Sequence, residues 1–259
     1  MTLNNHILEP KQAIERFAGE QFIDWLARYT VQQVETWPET AVIRNATPKP
    51  EKIRKFLVQR FLASEAFFRR QDGDPGFLGF ITGNLSEAND PLSETALEML
   101  EQRKGEVTKG NKNTSVLSAT QQHELWLRLL KALGASDEEL KRVEPKENTR
   151  NYIAELSDLY SNSPWQTALG GFASHEQAVS CEFKIILEML KKNTSLSNHD
   201  LEILTRHAET VANFNSQGHI LEKVAFDLDN KNLVWQGAQR QLQIRREFLA
   251  GLLKYLTVV

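Results

Sequence analysis

Apolar residues return every three or four positions along most of the chain, which is the period of an amphipathic α-helix. The first such segment, residues 11–35, carries a broad apolar face and ends at Trp37-Pro38. Further helices are predicted at about residues 51–71, 91–101, 121–133, 148–159, 165–191, 198–214, 220–228 and 232–256. No segment alternates with the period of two that a half-buried strand shows. The pattern predicts an all-α fold, with residues 1–259 forming a single-domain helical bundle.

The composition excludes several classes of protein. With a formal net charge of −3, the chain lacks the positive charge that attracts nucleic-acid phosphates, so we expect no nucleic-acid partner. No apolar run approaches the roughly 18 residues of a membrane span, and the first residues lack the features of a signal peptide. The single cysteine, Cys181, excludes an internal disulfide and is interpreted as a small buried residue. We therefore expect a cytoplasmic protein without a membrane partner.

Three segments resemble a known family. Residues 123–134, His-Glu-Leu-Trp-Leu-Arg-Leu-Leu-Lys-Ala-Leu-Gly, resemble a signature of the heme-oxygenase-like helical proteins related to the Chlamydia protein associating with death domains, CADD. Residues 170–177, Gly-Gly-Phe-Ala-Ser-His-Glu-Gln, resemble the family's Gly-Ala-Leu-Tyr-Ala-Tyr-Glu-x-Gln, and residues 201–209 resemble its helix with a metal-binding histidine. The resemblance implies a heme-oxygenase-like bundle of the CADD, TenA and PqqC superfamily, in its diiron oxidase branch.

The resemblance also places metal ligands at Glu101, His123, Glu176 and His207. Carboxylate oxygens and imidazole nitrogens inside a helical bundle are the donors that suit iron. In the family, the last histidine is followed by Asp and His at plus four and plus seven, where this chain has Val211 and Phe214. These positions share one helical face with His207, but apolar side chains donate no electron pair. The resemblance therefore implies a degenerate second site and one iron ion rather than two.

Each predicted ligand also has an interpretation without metal. Glu101 stands near a predicted helix end, where a surface ion pair is common, and His123 near a helix start, where partial exposure is common. His207 is equally well a core histidine with a satisfied hydrogen bond. Glu176 is the strongest functional candidate, because an unpaired carboxylate is costly within a mostly apolar helix. His175 points about 100° away from Glu176 and is interpreted as a structural or surface histidine.

Three functions follow as alternatives. The preferred one is a non-heme iron oxygenase or oxidase that acts with O2 on a small amino-acid, amine, aromatic or fatty-acid-like substrate, as the resemblance implies. The second is a metal-free small-molecule-binding or cofactor-biosynthesis protein on the same fold, as its TenA and PqqC branches suggest. The third is a non-enzymatic interaction protein. A homodimer is expected because twofold pairing is the commonest oligomeric state of soluble proteins.

Overall fold

A computed structural model describes residues 7–67, 76–109, 117–209 and 221–257, with the backbone alone at 103–109. Within these ranges every regular element is helical, which confirms the prediction of an all-α fold. The helices are α1 Pro10–Arg16, α2 Glu20–Thr36, α3 Pro38–Asn45, α4 Pro50–Glu65, α5 Gly76–Glu87, α6 Pro91–Lys109, α7 Ala119–Ala132, α8 Asp137–Arg142, α9 Glu147–Asn162, α10 Trp165–Asn193, α11 Glu202–Glu209 and α12 Leu228–Leu252. Residues 221–224 are also helical, and a 3-10 turn, Leu253–Tyr255, follows α12.

The first predicted helix is two helices in the structure. Gly19 has a φ of +51°, a backbone conformation that favours glycine, and it separates α1 from α2. The Nζ of Lys231 in α12 donates to the carbonyls of Ile14 and Phe17 at 2.6 and 2.7 Å. Because the last carbonyls of a helix have no partner within it, this buried lysine satisfies the end of α1 and ties it to α12.

Three helices and one extension were not predicted. Pro38 ends α2 but occupies the first turn of α3, where its missing N–H costs nothing. Helix α5 is rich in glycine, which lowers helix propensity, and α8 is only six residues long with Ser136 as its cap. Helix α6 continues to Lys109, beyond its predicted end at residue 101. None of the described helices is long and apolar enough to cross a membrane.

Helix α10 is the centre of the bundle and packs most extensively against α12. The two helices approach closely because both carry glycines at the crossing. A Cβ atom at Gly237 of α12 would overlap the backbone carbonyl of Thr167, and one at Gly170 of α10 would overlap that of Val234. This close approach brings the side chains of the next two turns of α10 against those of α12.

Candidate functional site

Three charged side chains are buried where α4, α10 and α12 meet. Glu182 and Arg245 are fully buried and Arg60 is 3% exposed. One carboxylate oxygen of Glu182 accepts a hydrogen bond from Nη1 of Arg245 at 2.8 Å. The other lies 3.0 Å from Nε of Arg60. Two guanidinium groups, which stay protonated in proteins, therefore share a single carboxylate.

Helices α9 and α10 add neutral polar groups to this cluster. Nη2 of Arg245 donates to the hydroxyl of Tyr152 at 2.8 Å and lies 3.2 Å from Nδ1 of His175. The hydroxyl of Tyr160 lies 3.3 Å from the same nitrogen. Burial, together with the Arg245 and Arg60 guanidiniums, lowers the pKa of His175 well below its usual range, so the imidazole is neutral. We call Arg60, Tyr152, Tyr160, His175, Glu182 and Arg245 the buried network.

Aromatic rings enclose the buried network. The guanidinium of Arg60 lies 5.2 Å from the ring centre of Phe183 and 5.3 Å from that of Phe248. The ring of His175 is in contact with Phe67 at a centroid distance of 5.7 Å. Because aromatic side chains exclude water, charges inside this enclosure interact more strongly than they would at the surface.

A line of uncharged polar groups continues from the buried network towards α2. Gln241 lies one turn before Arg245 on α12, and its side-chain oxygen accepts a hydrogen bond from Ser174 at 3.2 Å. The hydroxyl of Ser174 also lies 3.3 Å from that of Thr30. The amide nitrogen of Gln241 is buried without a hydrogen-bond acceptor, as is Nε of Arg245, as far as the described residues show. The interior therefore holds unused hydrogen-bond donors.

Three partly buried residues lie at the edge of the buried network, and we call Phe67, Glu176 and His207 the rim residues. Phe67 touches His175, and Glu176 is near enough to Tyr160 to raise the pKa of its hydroxyl further, beyond the larger effect of burial. His207 packs edge-on against Phe183 at 5.0 Å. The rim residues are thus the partly exposed neighbours of the buried network.

The other two predicted metal ligands lie further out. Glu101 is exposed on α6. His123 is partly exposed on α7, its Nδ1 lies 2.9 Å from a carboxylate oxygen of Glu65, and its ring contacts Phe61 at 5.6 Å. A histidine paired in this way with a carboxylate has an ordinary structural explanation.

The predicted iron site is not assembled within the part of the chain that the structure describes. Val211 and Phe214, the positions at which the sequence departs from the family, lie outside the described residues. Among the residues described, no three His, Cys, Asp or Glu side chains come together as a metal ion requires. The iron site at Glu101, His123, Glu176 and His207 therefore stays a prediction.

The rim histidine makes stability depend on pH. Burial lowers the pKa of His207 to about 4 from the usual 6.5, and the Arg60 guanidinium adds to the shift. The unfolded chain then binds more protons than the folded chain between these two values, so stability falls as the pH drops through this window. We expect a loss of about 1.5 kcal/mol between pH 6.5 and pH 5 from this residue alone.

Urea unfolding of His207→Gln at several pH values tests this expectation. The variant should lose less stability than the unaltered protein as the pH falls, because glutamine does not titrate. The matched control is His199→Gln, which replaces an exposed histidine and should leave the pH dependence unchanged. Equal pH dependence in His207→Gln and the unaltered protein would contradict the assignment.

The path of these helices is that of a heme oxygenase-like protein. A domain from Shewanella denitrificans with a heme oxygenase-like fold superposes with a TM-score of 0.65 at 12% identity, over 89% of this chain and 90% of its own. A CADD-like protein from Nostoc punctiforme gives 0.67 at 12% identity, over 91% and 99%. A TenA homolog from Pseudomonas syringae pv. tomato gives 0.63 at 13% identity, over 96% of both chains.

A narrower match covers the centre of the chain. Residues 94–216 match the TENA/THI-4/PQQC family, in a segment that includes α7, α9 and α10. No functionally curated protein matches the sequence. The resemblance to TenA and PqqC proteins is therefore confirmed over residues 94–216, and the heme oxygenase-like fold with it.

The sequence carried a signal for part of the buried network. Glu182 falls among apolar and small residues of α10, as Glu176 does, and Arg245 falls between Ile244 and Phe248. A charged residue on an inward helix face is costly unless it is paired, so each indicates a partner. The identity of the partner was not predictable from this signal.

Proposed function

We propose that this protein binds a small organic molecule at the rim of the buried network and handles it without a metal ion, as a metal-free small-molecule-binding or cofactor-biosynthesis protein. The observation that carries the proposal is the burial of Arg60, Glu182 and Arg245 together in the middle of the bundle.

A contribution to stability does not explain why three charged side chains are buried together. Removing an ion from water costs several kcal/mol even after relaxation, and replacing a buried ion pair or triad by apolar residues of similar volume is often neutral or stabilising by about 1–4 kcal/mol. Strongly perturbed, enclosed polar groups are instead frequent at functional sites. We therefore attribute the network to ligand binding.

The geometry supplies what a ligand site needs. Arg245 holds the ring of His175 and the hydroxyl of Tyr152 through one guanidinium nitrogen, so these groups are oriented before any ligand arrives. The aromatic enclosure excludes water around them. Polar groups held in this way recognise a ligand without the cost of reorganisation.

The charge of the network also argues against a cation at its centre. A metal ion there would face two guanidinium groups, with both oxygens of Glu182 already engaged. The solved structure of a TenA homolog with this fold, and the match to the TENA/THI-4/PQQC family, support the metal-free alternative over the iron oxygenase.

A thermal-shift screen in the presence of EDTA tests the proposal. Small aromatic and heteroaromatic metabolites that bind should raise the melting temperature by several degrees, because a ligand at about 100 times its Kd stabilises by about 2.7 kcal/mol. The same compounds should give the same shifts without EDTA. Shifts that require added Fe(II), or an absence of any shift, would overturn the proposal.

Iron binding separates the two candidate functions directly. If the proposal is correct, we expect the protein to bind well below one iron ion per chain after reconstitution with Fe(II). Glu176→Ala should then leave the iron content unchanged. Saturation at one ion per chain that is abolished by Glu176→Ala would instead support the iron oxygenase predicted from the sequence.

A further inference from the structure

Among the described residues, the charges of the buried network do not balance. Arg60 from α4 and Arg245 from α12 face one carboxylate, that of Glu182 from α10. The remaining titratable groups of the network, Tyr152 and Tyr160 from α9 and His175 from α10, are neutral, since burial raises the pKa of both tyrosines and lowers that of the histidine. The rim carboxylate of Glu176 lies near Tyr160 and is counted with the rim residues rather than with the network. The network itself thus carries one excess positive charge.

The hydrogen-bonding groups of the network are also unbalanced, because donors remain unused. Nε of Arg245 and the amide nitrogen of Gln241 are buried donors without acceptors among the described residues, and so is the indole nitrogen of Trp126. Gln241 and Arg245 are four residues apart and share one face of α12. Trp126 packs on Phe183, which in turn contacts Arg60. Nε of Arg60 and Oε1 of Glu182 also lack a hydrogen bond, but they lie 3.0 Å apart and pair as ions, so the described network groups left for a ligand are donors.

We infer that the ligand of this site is a small aromatic monocarboxylate whose carboxylate is held by Arg245 and Gln241 beside the enclosing rings. This inference rests on the proposed function and specifies its ligand class. A carboxylate adds one negative charge and two acceptor oxygens, which match the excess charge and the unused donors. A phosphate, with close to two charges at neutral pH, would overcompensate, and a cationic ligand would increase the imbalance.

Matched pairs of ligands that differ in charge alone test the inference on the unaltered protein. Isothermal titration calorimetry would compare benzoate with benzamide and nicotinate with nicotinamide, and inorganic phosphate alone would serve as the probe for a general anion site. We expect the better carboxylate to bind at least tenfold more tightly than its amide, and phosphate not to compete with it. Equal binding within each pair, or binding of phosphate with similar affinity, would overturn the inference.

Two variants locate the carboxylate. Gln241→Leu keeps the size of the side chain and removes one unused donor, so it should weaken carboxylate binding several-fold without affecting the amides. Arg245→Lys keeps the charge but removes Nε, the unused donor, and should weaken carboxylate binding about tenfold. Arg246→Lys, next to it on the exposed face, is the matched control and should bind like the unaltered protein. Unchanged carboxylate affinity in Gln241→Leu and Arg245→Lys would overturn the assignment.

The outcomes separate this inference from the proposed function. If amides and carboxylates bind equally and both are weakened by Arg245→Lys, the ligand site stands and the preference for an anion is wrong. If no compound binds in this set or in the thermal-shift screen, both the inferred ligand class and the proposed function are wrong.

Discussion

Replacing Glu182 by Gln is expected to lower the free energy of unfolding by about 3–5 kcal/mol, because removal of one partner leaves buried charges uncompensated. Glutamine has nearly the same shape, so the loss reports the missing charge rather than a cavity. Without the carboxylate, the guanidiniums of Arg60 and Arg245 face each other inside an aromatic enclosure. Urea unfolding followed by circular dichroism measures the difference.

The matched control lies on the same helix. Glu188 is exposed on α10 and lies 3.9 Å from Arg44, a surface ion pair of the kind that contributes little. Glu188→Gln should therefore change stability by less than about 0.5 kcal/mol. A loss below about 1 kcal/mol in Glu182→Gln would show that Glu182 does not hold the two guanidiniums together.

Replacing Gly237 by Ala is expected to destabilise the protein by about 2–3 kcal/mol, the upper part of the range for overpacked cores. The added methyl group would overlap the backbone carbonyl of Thr167, so α10 and α12 must move apart. This cost opposes the gain of about 1 kcal/mol that alanine brings through helix propensity. Separation of the helices would also displace Ser174 from Gln241, so ligand binding should weaken in parallel.

Gly83→Ala in α5 is the control, because a Cβ atom there meets no neighbour within 4 Å. Alanine should stabilise that helix by up to about 1 kcal/mol. The two substitutions are chemically identical, so opposite signs in urea unfolding would isolate the helix crossing as the cause. Gly237→Ala with unchanged or increased stability would contradict the close approach of α10 and α12.

The periodicity of apolar residues predicted the helical class correctly, and the resemblance predicted the fold. The break at Gly19 was missed because it depends on a positive φ and on Lys231, which is far away in the sequence. Helix α5 was missed because its stability comes from burial of apolar residues rather than from the propensity of a glycine-rich segment.

The candidate site was less predictable than the fold. An inward carboxylate needs a partner, which holds for Glu176 and equally for Glu182, six residues later. Its partners Arg60 and Arg245 lie on helices that no local pattern connects to α10. The pairing of Glu182 with these arginines depends on tertiary packing, which is not predictable from a single sequence. His175, interpreted as a structural or surface histidine, is buried and in contact with Arg245.

The central claim, that the buried network serves a ligand rather than stability, is tested most directly by replacing all three charges at once. The triple variant Arg60→Met, Glu182→Leu, Arg245→Met leaves no unpaired charge, so its melting temperature should stay within a few degrees of that of the unaltered protein or exceed it. The measurement is the thermal shift of both proteins with the aromatic carboxylates that bind the unaltered chain. We expect the shift to disappear in the triple variant, whereas an equal shift in both proteins would contradict the claim.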